Sequence, residues 1–411
     1  MPILGHMENH QSTRLPLGVY LLAVSLFAMG SAEFLLAGVL PSVADDLGVS
    51  LSAAGALITA FALGVVLGGP PFAVLSLRWP RRTALLTAQL VFAATVAIGL
   101  VGDYRVLLVT RFVSGLAYAG FFAVAAVTAI SLVTPDRNAR ASGVVVSGLG
   151  VAMVAGGPLG TLLSNLTDWR GGFWAVVALT VTSAIACALR LPATTSAAEP
   201  SVRRELVTMR APRLWGVYAV TILTTAAYMI SFNYLAAVLA DVTRIPDLWI
   251  PAVLALFGIG AFVGLSVGGR ISDRRPHRSL LVGAVGIAVL SVLLTTFAGH
   301  AVAVVPIVFL LGIAAFVLNP AIYGRVFAIA ADAPTLAGAT TVSAFQLGIS
   351  LTPAFAAVAF GLDAPVTAVS WIGAALALAA VPLILLDRPA KRDERDRLTA
   401  AGRRRPARRA S

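Results

Sequence analysis

Twelve apolar stretches, joined by loops in which arginine is concentrated on every second one, leave this chain few ways to fold. They run near 17–40, 51–76, 83–101, 105–133, 141–164, 171–191, 214–239, 250–270, 279–299, 301–329, 335–360 and 364–386. Most reach the roughly 20 residues that a helix needs to cross about 30 Å of hydrocarbon. With the N-terminus taken as cytoplasmic, the segments on that side hold 25 of the 30 Lys and Arg residues. The loops on the other side hold three, Arg105, Arg170 and Arg244, and Arg111 and Arg325 fall inside spans. Cytoplasmic loops of membrane proteins carry the excess of positive charge, so both termini are expected in the cytoplasm.

Composition excludes the soluble classes. With 59% hydrophobic and 12% charged residues and a mean hydropathy of +0.92, lipid has to be the solvent for much of the surface. The net charge of +12 does not imply a nucleic-acid partner, because it lies in short loops and in the tail that ends Arg403, Arg404, Arg405, Arg408, Arg409. Topology and lipid headgroups account for it. The single cysteine, Cys187, is inside a span and reads as a small packing residue. The first span is too long for a signal-peptide core and lacks a small-residue cleavage site, so it is expected to stay. Met7 is an alternative start, and His6, Glu8 and His10 share a helical spacing that a frayed terminus makes accidental.

Internal duplication sets the domain plan. The loop from Ser76 to Arg82 (Ser-Leu-Arg-Trp-Pro-Arg-Arg) matches that from Ser272 to Arg278 (Ser-Asp-Arg-Arg-Pro-His-Arg) at four of seven positions, offset by 196. Gly115 and Gly312 recur at 197, and Pro135 and Pro334 at 199. The expected plan is an N-terminal arm 1–16, a six-span bundle 17–191, a polar linker 192–213, a second bundle 214–386 and a basic tail 387–411. Parallel repeats of this kind place a substrate site near the membrane midplane, between halves that rock.

Glu33 is the only acidic residue well inside a span. A charge at mid-helix costs about 3 kcal/mol on insertion scales, so it is normally paired, neutralised or facing water. Burial favours the neutral form of a carboxyl group, which suits Glu33 to binding and releasing a proton. Arg111 is a partner by depth. At about 1.5 Å per residue, each sits about 10 Å below the outer surface. A proton-coupling role and a purely structural ion pair with Arg111 both remain open at this point.

Span five carries Gly148, Gly150, Gly156, Gly157, Pro158 and Gly160, which reads either as close helix packing or as a bendable contact between the halves. Arg325 lies near the cytoplasmic end of span ten, where snorkelling, or pairing with Asp332 or Asp273, explains it better than substrate binding. Candidates for a cavity are Phe34, Tyr118, Phe121 and Phe122 in the first half and Tyr228, Phe232, Asn233, Tyr234, Asn319, Tyr323, Phe345 and Gln346 in the second. Apolar walls with a few placed amides suit a small, uncharged, amphiphilic molecule. Asn233 and Asn319 stand out because a buried amide needs a partner.

Absences bear on the energy source. The only lysine is Lys391, so no phosphate-cradling lysine exists, and Gly258, Gly260 and Gly264 lie in an apolar span without a preceding strand. His277 and His300 read as isolated loop residues, and neither a metal-ligand cluster nor paired carboxylates occur in the spans. The chain is expected to be no enzyme, to need no cofactor or metal, and to draw on the proton gradient.

The duplicated loops resemble the signature of the major facilitator superfamily between spans two and three, with its echo between spans eight and nine. Gly269, Asp273, Arg274 and Arg278 fit that signature. The first copy keeps Arg78, Arg81 and Arg82 but has Leu77 at the acidic position and Pro80 at the glycine, a departure that shifts the cytoplasmic latch to Asp273. Arg111 with Gly115 and Gly120 resembles the family's span-four motif, and Gly148 through Gly160 its span-five motif associated with antiporters. The run from Gly30 to Phe34, the segment Leu40 to Ser50 and the loop Leu77 to Arg82 are similar to those of twelve-span drug:proton antiporters, in particular the actinobacterial chloramphenicol efflux proteins. The resemblance implies an all-α integral membrane protein of the bacterial plasma membrane, with twelve transmembrane helices in two pseudo-symmetric six-helix bundles. It implies proton-coupled efflux of a neutral antibiotic such as chloramphenicol by a monomer whose partners are drug, protons and lipid, with no nucleic acid. Export of sugars, nucleosides or other small metabolites on the same fold is the alternative.

Overall fold

A computed structural model describes residues 15–75, 79–134, 137–192, 208, 210–272, 275–330 and 334–387. Among these are twelve helices long and apolar enough to cross a membrane. Span one is Leu17–Leu47, span two Leu51–Leu75, span three Arg81–Val101, span four Tyr104–Ser131 and span six Trp169–Arg190. Span nine is Pro276–Thr296, span eleven Pro334–Gly361 and span twelve Ala368–Leu386. Each boundary has a local cause. Gly48 ends span one in the left-handed region at φ 61°, where the absence of a Cβ removes the steric penalty. Asp103 caps span four by accepting from the Val106 amide at 2.9 Å. Asp168 caps span six by accepting from the amides of Arg170 at 2.8 Å and Gly171 at 3.0 Å, which satisfies donors that a helix start leaves free.

Three spans are broken where the pattern of apolar residues gave no warning. Span five is Asn138–Val151, a π-turn Ala152–Gly156 and Gly157–Leu166. Span seven is Pro212–Asn233, continued by Leu235–Ala237 and a π-turn Val238–Val242. Span ten is Ala301–Val317 and Asn319–Ile329, interrupted at Leu318 just before Pro320, which has no amide to donate to the preceding turn. Span eight, Ile250–Ser272, is a single helix entered through the 3-10 turn Asp247–Trp249.

Packing follows the duplication. In the first half span one lies on spans five and six, span two on span four, and span three on spans four and six; spans seven to twelve repeat these pairings in order. The closest joints coincide too. An ideal Cβ on Gly115 would stand 2.1 Å from the Phe61 carbonyl oxygen, and one on Gly312 2.2 Å from that of Phe257. Only glycine admits so close a backbone approach. Outward faces carry large apolar side chains such as Leu90, Val109, Leu189, Phe262, Val302 and Leu378, all exposed, an arrangement that hydrocarbon tolerates and water does not.

Both described ends of the chain lie on one face, termed here the terminus face, as an even number of crossings requires. The halves touch where span two runs along span eleven and where span five meets span eight. Thr59 Oγ1 donates to the Ser350 carbonyl at 2.9 Å, and a Cβ on Gly69 would meet Ser343 Oγ at 3.1 Å, so the first seam is continuous. Along the second, span eight packs on the π-turn and on Gly157–Leu166 and draws away from Asn138–Val151. On the far face Asn165 Nδ2 donates to the Asp247 carbonyl at 3.0 Å, which closes that end.

One expectation is extended and one is corrected. Arg325 pairs with the carboxylate of Asp387, and also donates to that residue's carbonyl at 3.2 Å; Asp332 and Asp273 lie outside the described residues. His277 is not an isolated loop residue, since it sits in span nine with Nε2 at 3.2 Å from Arg325 Nη1. This cluster joins the terminus-face ends of spans nine, ten and twelve, with side-chain exposures of 15% for Arg325 and 17% for Asp387. Removing one partner strands a half-buried charge. Asp387→Ala is expected to lower stability by about 1–3 kcal/mol, seen as a lower unfolding midpoint in detergent; an unchanged midpoint would argue that water already screens the pair.

Candidate functional site

Glu33 sits in the middle of span one, where every other residue from Ala28 to Ala37 is buried and Glu33 alone is partly accessible. Gln346 Nε2, on span eleven, donates to Glu33 Oε1 at 2.9 Å. A carboxylate accepts only, so this bond orients the Gln346 amide and turns its oxygen away. That contact links the two halves directly at mid-span.

Arg111 stands beside this pair and is 5% exposed. Its Nη1 lies 3.4 Å from the Ala32 carbonyl and its Nε 3.5 Å from the Leu57 carbonyl. The guanidinium also covers the Phe61 ring, 4.6 Å from its centroid. Arg170–Asp46 and Arg325–Asp387 are ion-paired; Arg111 instead grips the backbone one residue before Glu33. Cation–π contact and carbonyl acceptors together hold its charge in an apolar setting.

Aromatic rings form the walls. Phe34 meets Phe232 across the halves, edge to face, with centroids 6.4 Å apart. Phe232 lies tilted against Phe257 at 4.6 Å, and Tyr228 meets Phe316 at 5.5 Å. Tyr118 packs on Phe61 at 5.6 Å and on Phe122 at 6.4 Å, while Tyr323 meets Phe345 at 5.7 Å. Tyr118 and Tyr228 both lie within electrostatic reach of Glu33 and Tyr323, so the four residues share one neighbourhood. Phe121 is fully buried.

Other residues singled out in the sequence fall elsewhere. Asn233 Nδ2 donates to Thr352 Oγ1 at 2.8 Å, a brace between spans seven and eleven. Tyr234 packs on Phe360 at 5.5 Å, with its hydroxyl against Gly55 toward the closed end. Span five turns its glycines to span one: a Cβ on Gly148 would meet the Ala23 carbonyl, one on Gly156 Ser31, one on Gly157 Phe34 and one on Gly160 Leu35. Buried Pro158 opens the helix after the π-turn. The contact with the second half is made by the π-turn itself, where Gly258 faces Val154 and Met153. On the terminus face, Arg82 donates to the Ala188 carbonyl of span six. Arg81 is half-buried and Arg278 exposed; Arg78, Asp273 and Arg274 lie outside the described residues. Cys187 is buried against Ser25, with Oγ and Sγ 3.6 Å apart.

Phe61, Phe257, Phe316 and Thr352 were not anticipated. Phe61 and Phe257 recur at the same 196-residue offset as the duplicated loops, a signal that would have found them. Among the described residues no group of His, Cys, Asp and Glu is placed to hold a metal ion.

Comparison with known proteins agrees with this architecture. The chain is 42% identical over 352 residues to a chloramphenicol resistance protein of Streptomyces lividans, covering 84% of this chain and 90% of that protein. It is 30% identical over 331 residues to the inner membrane transport protein YdhP of Escherichia coli, covering 80% and 85%. Among solved structures the nucleoside transporter NupG superposes with a TM-score of 0.74 at 12% identity, over 91% of this chain and all of that one. A bacterial homologue of the lysosomal transporter Spinster, inward-facing and unoccupied, superposes at 0.66 with 18% identity, over 90% and 94%. Residues 22–353 match the Major Facilitator Superfamily, and the chain, a twelve-span membrane transporter rather than an enzyme, belongs to that family.

Proposed function

We propose that the chain exports chloramphenicol, or a closely related neutral phenicol, in exchange for protons. It is a multi-pass protein of the bacterial plasma membrane, and the concentration of Lys and Arg on its terminus face supports a cytoplasmic location for that face. The observation that carries the coupling is the Glu33–Gln346 bond: a lone carboxyl group at mid-span, partly accessible, reaching across the seam between the halves.

Charged Glu33 accepts a bond strengthened by its charge, and a proton weakens that bond. From outside, a proton neutralises Glu33 as the drug leaves, and the halves then close outward, as the Asn165–Asp247 contact closes the far end here, and reopen inward. There, drug binding and proton loss complete the cycle. Arg111, held on the Ala32 carbonyl, keeps the backbone beside Glu33 in place throughout. The aromatic walls and sparse amides suit a neutral, flat, amphiphilic cargo, in keeping with what the Streptomyces relative is named for.

For a neutral drug exchanged for one proton, a membrane potential of about 150 mV supplies about 3.5 kcal/mol, enough for a gradient of a few hundredfold. Cells expressing the chain should accumulate less chloramphenicol than controls, and a proton ionophore should remove the difference. Equal accumulation in both, or a difference that persists with the ionophore, would set this reading aside. An antibiotic panel run in parallel gives the breadth of the substrate range.

A further inference from the structure

Two buried acceptor oxygens in the central neighbourhood have no partner among the described residues. Gln346 Oε1 is one, in a side chain 6% exposed, and Asn319 Oδ1 is the other, in a residue 8% exposed. Leaving such an oxygen unpaired in an apolar setting is costly, and native proteins rarely do so without a ligand or water.

The orientation of Gln346 is not arbitrary. Its amide nitrogen is committed to Glu33 at 2.9 Å, so its oxygen is the atom left over. Asn319 begins the second segment of span ten, directly after the break at Leu318. Asn319 and Tyr323 are four positions apart in that segment and so share a helix face. Tyr323 meets Phe345, so this face is turned to the aromatic neighbourhood, and Phe316, just before the break, meets Tyr228. Gln346 reaches the same aromatic wall through Glu33, which, like Tyr323, lies within electrostatic reach of Tyr118 and Tyr228. Tyr234 Oη is also buried without a partner, but it lies against Gly55, toward the closed end, and is no part of this wall.

We infer that Asn319 and Gln346 form an acceptor subsite that selects neutral substrates bearing hydroxyl donors beside a flat apolar ring. The inference rests on the export reading above and adds which chemical feature is recognised. A site built around buried acceptors rejects an isostere that lacks the matching donor far more strongly than an apolar pocket rejects a missing methylene.

Thiamphenicol and florfenicol differ by replacement of one hydroxyl with fluorine, which removes a donor at nearly constant shape. In everted vesicles energised by a proton gradient, the concentration giving half-maximal transport should be about tenfold or more lower for thiamphenicol. Asn319→Leu should bring the two values within about twofold, chiefly by weakening thiamphenicol. Asn319→Ser, a smaller change, should retain part of the preference and keeps the comparison usable if the leucine variant folds poorly. Transport of both compounds by the parent chain with equal half-maximal concentrations overturns the subsite while leaving the export reading intact. A preference that survives in Asn319→Leu overturns it too. If the parent exports chloramphenicol but neither of these compounds, the subsite is overturned; if it exports none of the three, the export reading itself fails and the subsite falls with it.

Discussion

Glu33→Gln is expected to collapse the drug gradient from a few hundredfold to about one, the loss of the entire roughly 3.5 kcal/mol that proton exchange supplies. The variant should reach the membrane at parental levels, because glutamine has the shape of glutamate and can still hydrogen-bond to Gln346 across 2.9 Å. What it cannot do is take up and release a proton. Accumulation of radiolabelled chloramphenicol, with protein quantified in the same membranes, checks both halves of the expectation. Retained ionophore-sensitive efflux in this variant would refute the coupling role of Glu33. A merely structural role makes the opposite forecast, since the neutral side chain relieves a buried charge and transport should persist.

Gly115→Ala and Gly312→Ala are expected to cost about 1–3 kcal/mol or more each. Their new Cβ atoms would stand 2.1 Å from the Phe61 carbonyl oxygen and 2.2 Å from that of Phe257. Both obstacles are backbone, so no side-chain rotation relieves the clash and the paired helices have to separate. Gly143→Ala is the matched control, since a Cβ there meets nothing within 4 Å and alanine favours helix by up to about 1 kcal/mol. Unfolding midpoints in detergent should fall for the first two and hold or rise for the third. A Gly115→Ala protein melting with the parent would mean that spans two and four are not held at this distance.

These two variants probe what the sequence displayed most and least clearly. The spans were visible because lipid demands long apolar runs, and the repeat was visible because its loops are polar and stand out against them. Glu33 was conspicuous by its isolation. Its partner was not: Gln346 lies 313 positions away, and a single amide in an apolar helix carries no periodic signature of what it faces. Depth along the spans brought Arg111 to the right level, yet depth cannot tell a carboxylate from the adjacent Ala32 carbonyl. The pairing of Arg325 with Asp387, 62 positions on, depends on how spans ten and twelve converge. The π-turns in spans five and seven arise from packing between helices, so local propensity did not reveal them. Asn233, expected to face a cavity, found its partner inside its own half in Thr352.

The buried, solitary thiol of Cys187 has a practical consequence. Replacing it with serine would leave a background free of reactive sulfur, into which reporter pairs can be introduced at will. Gly143 and Gly269 offer open space on spans five and eight, on the side where those helices diverge. Spin labels attached at these two points would turn the breathing of the transporter into a measured distance, read once with the proton gradient present and once without.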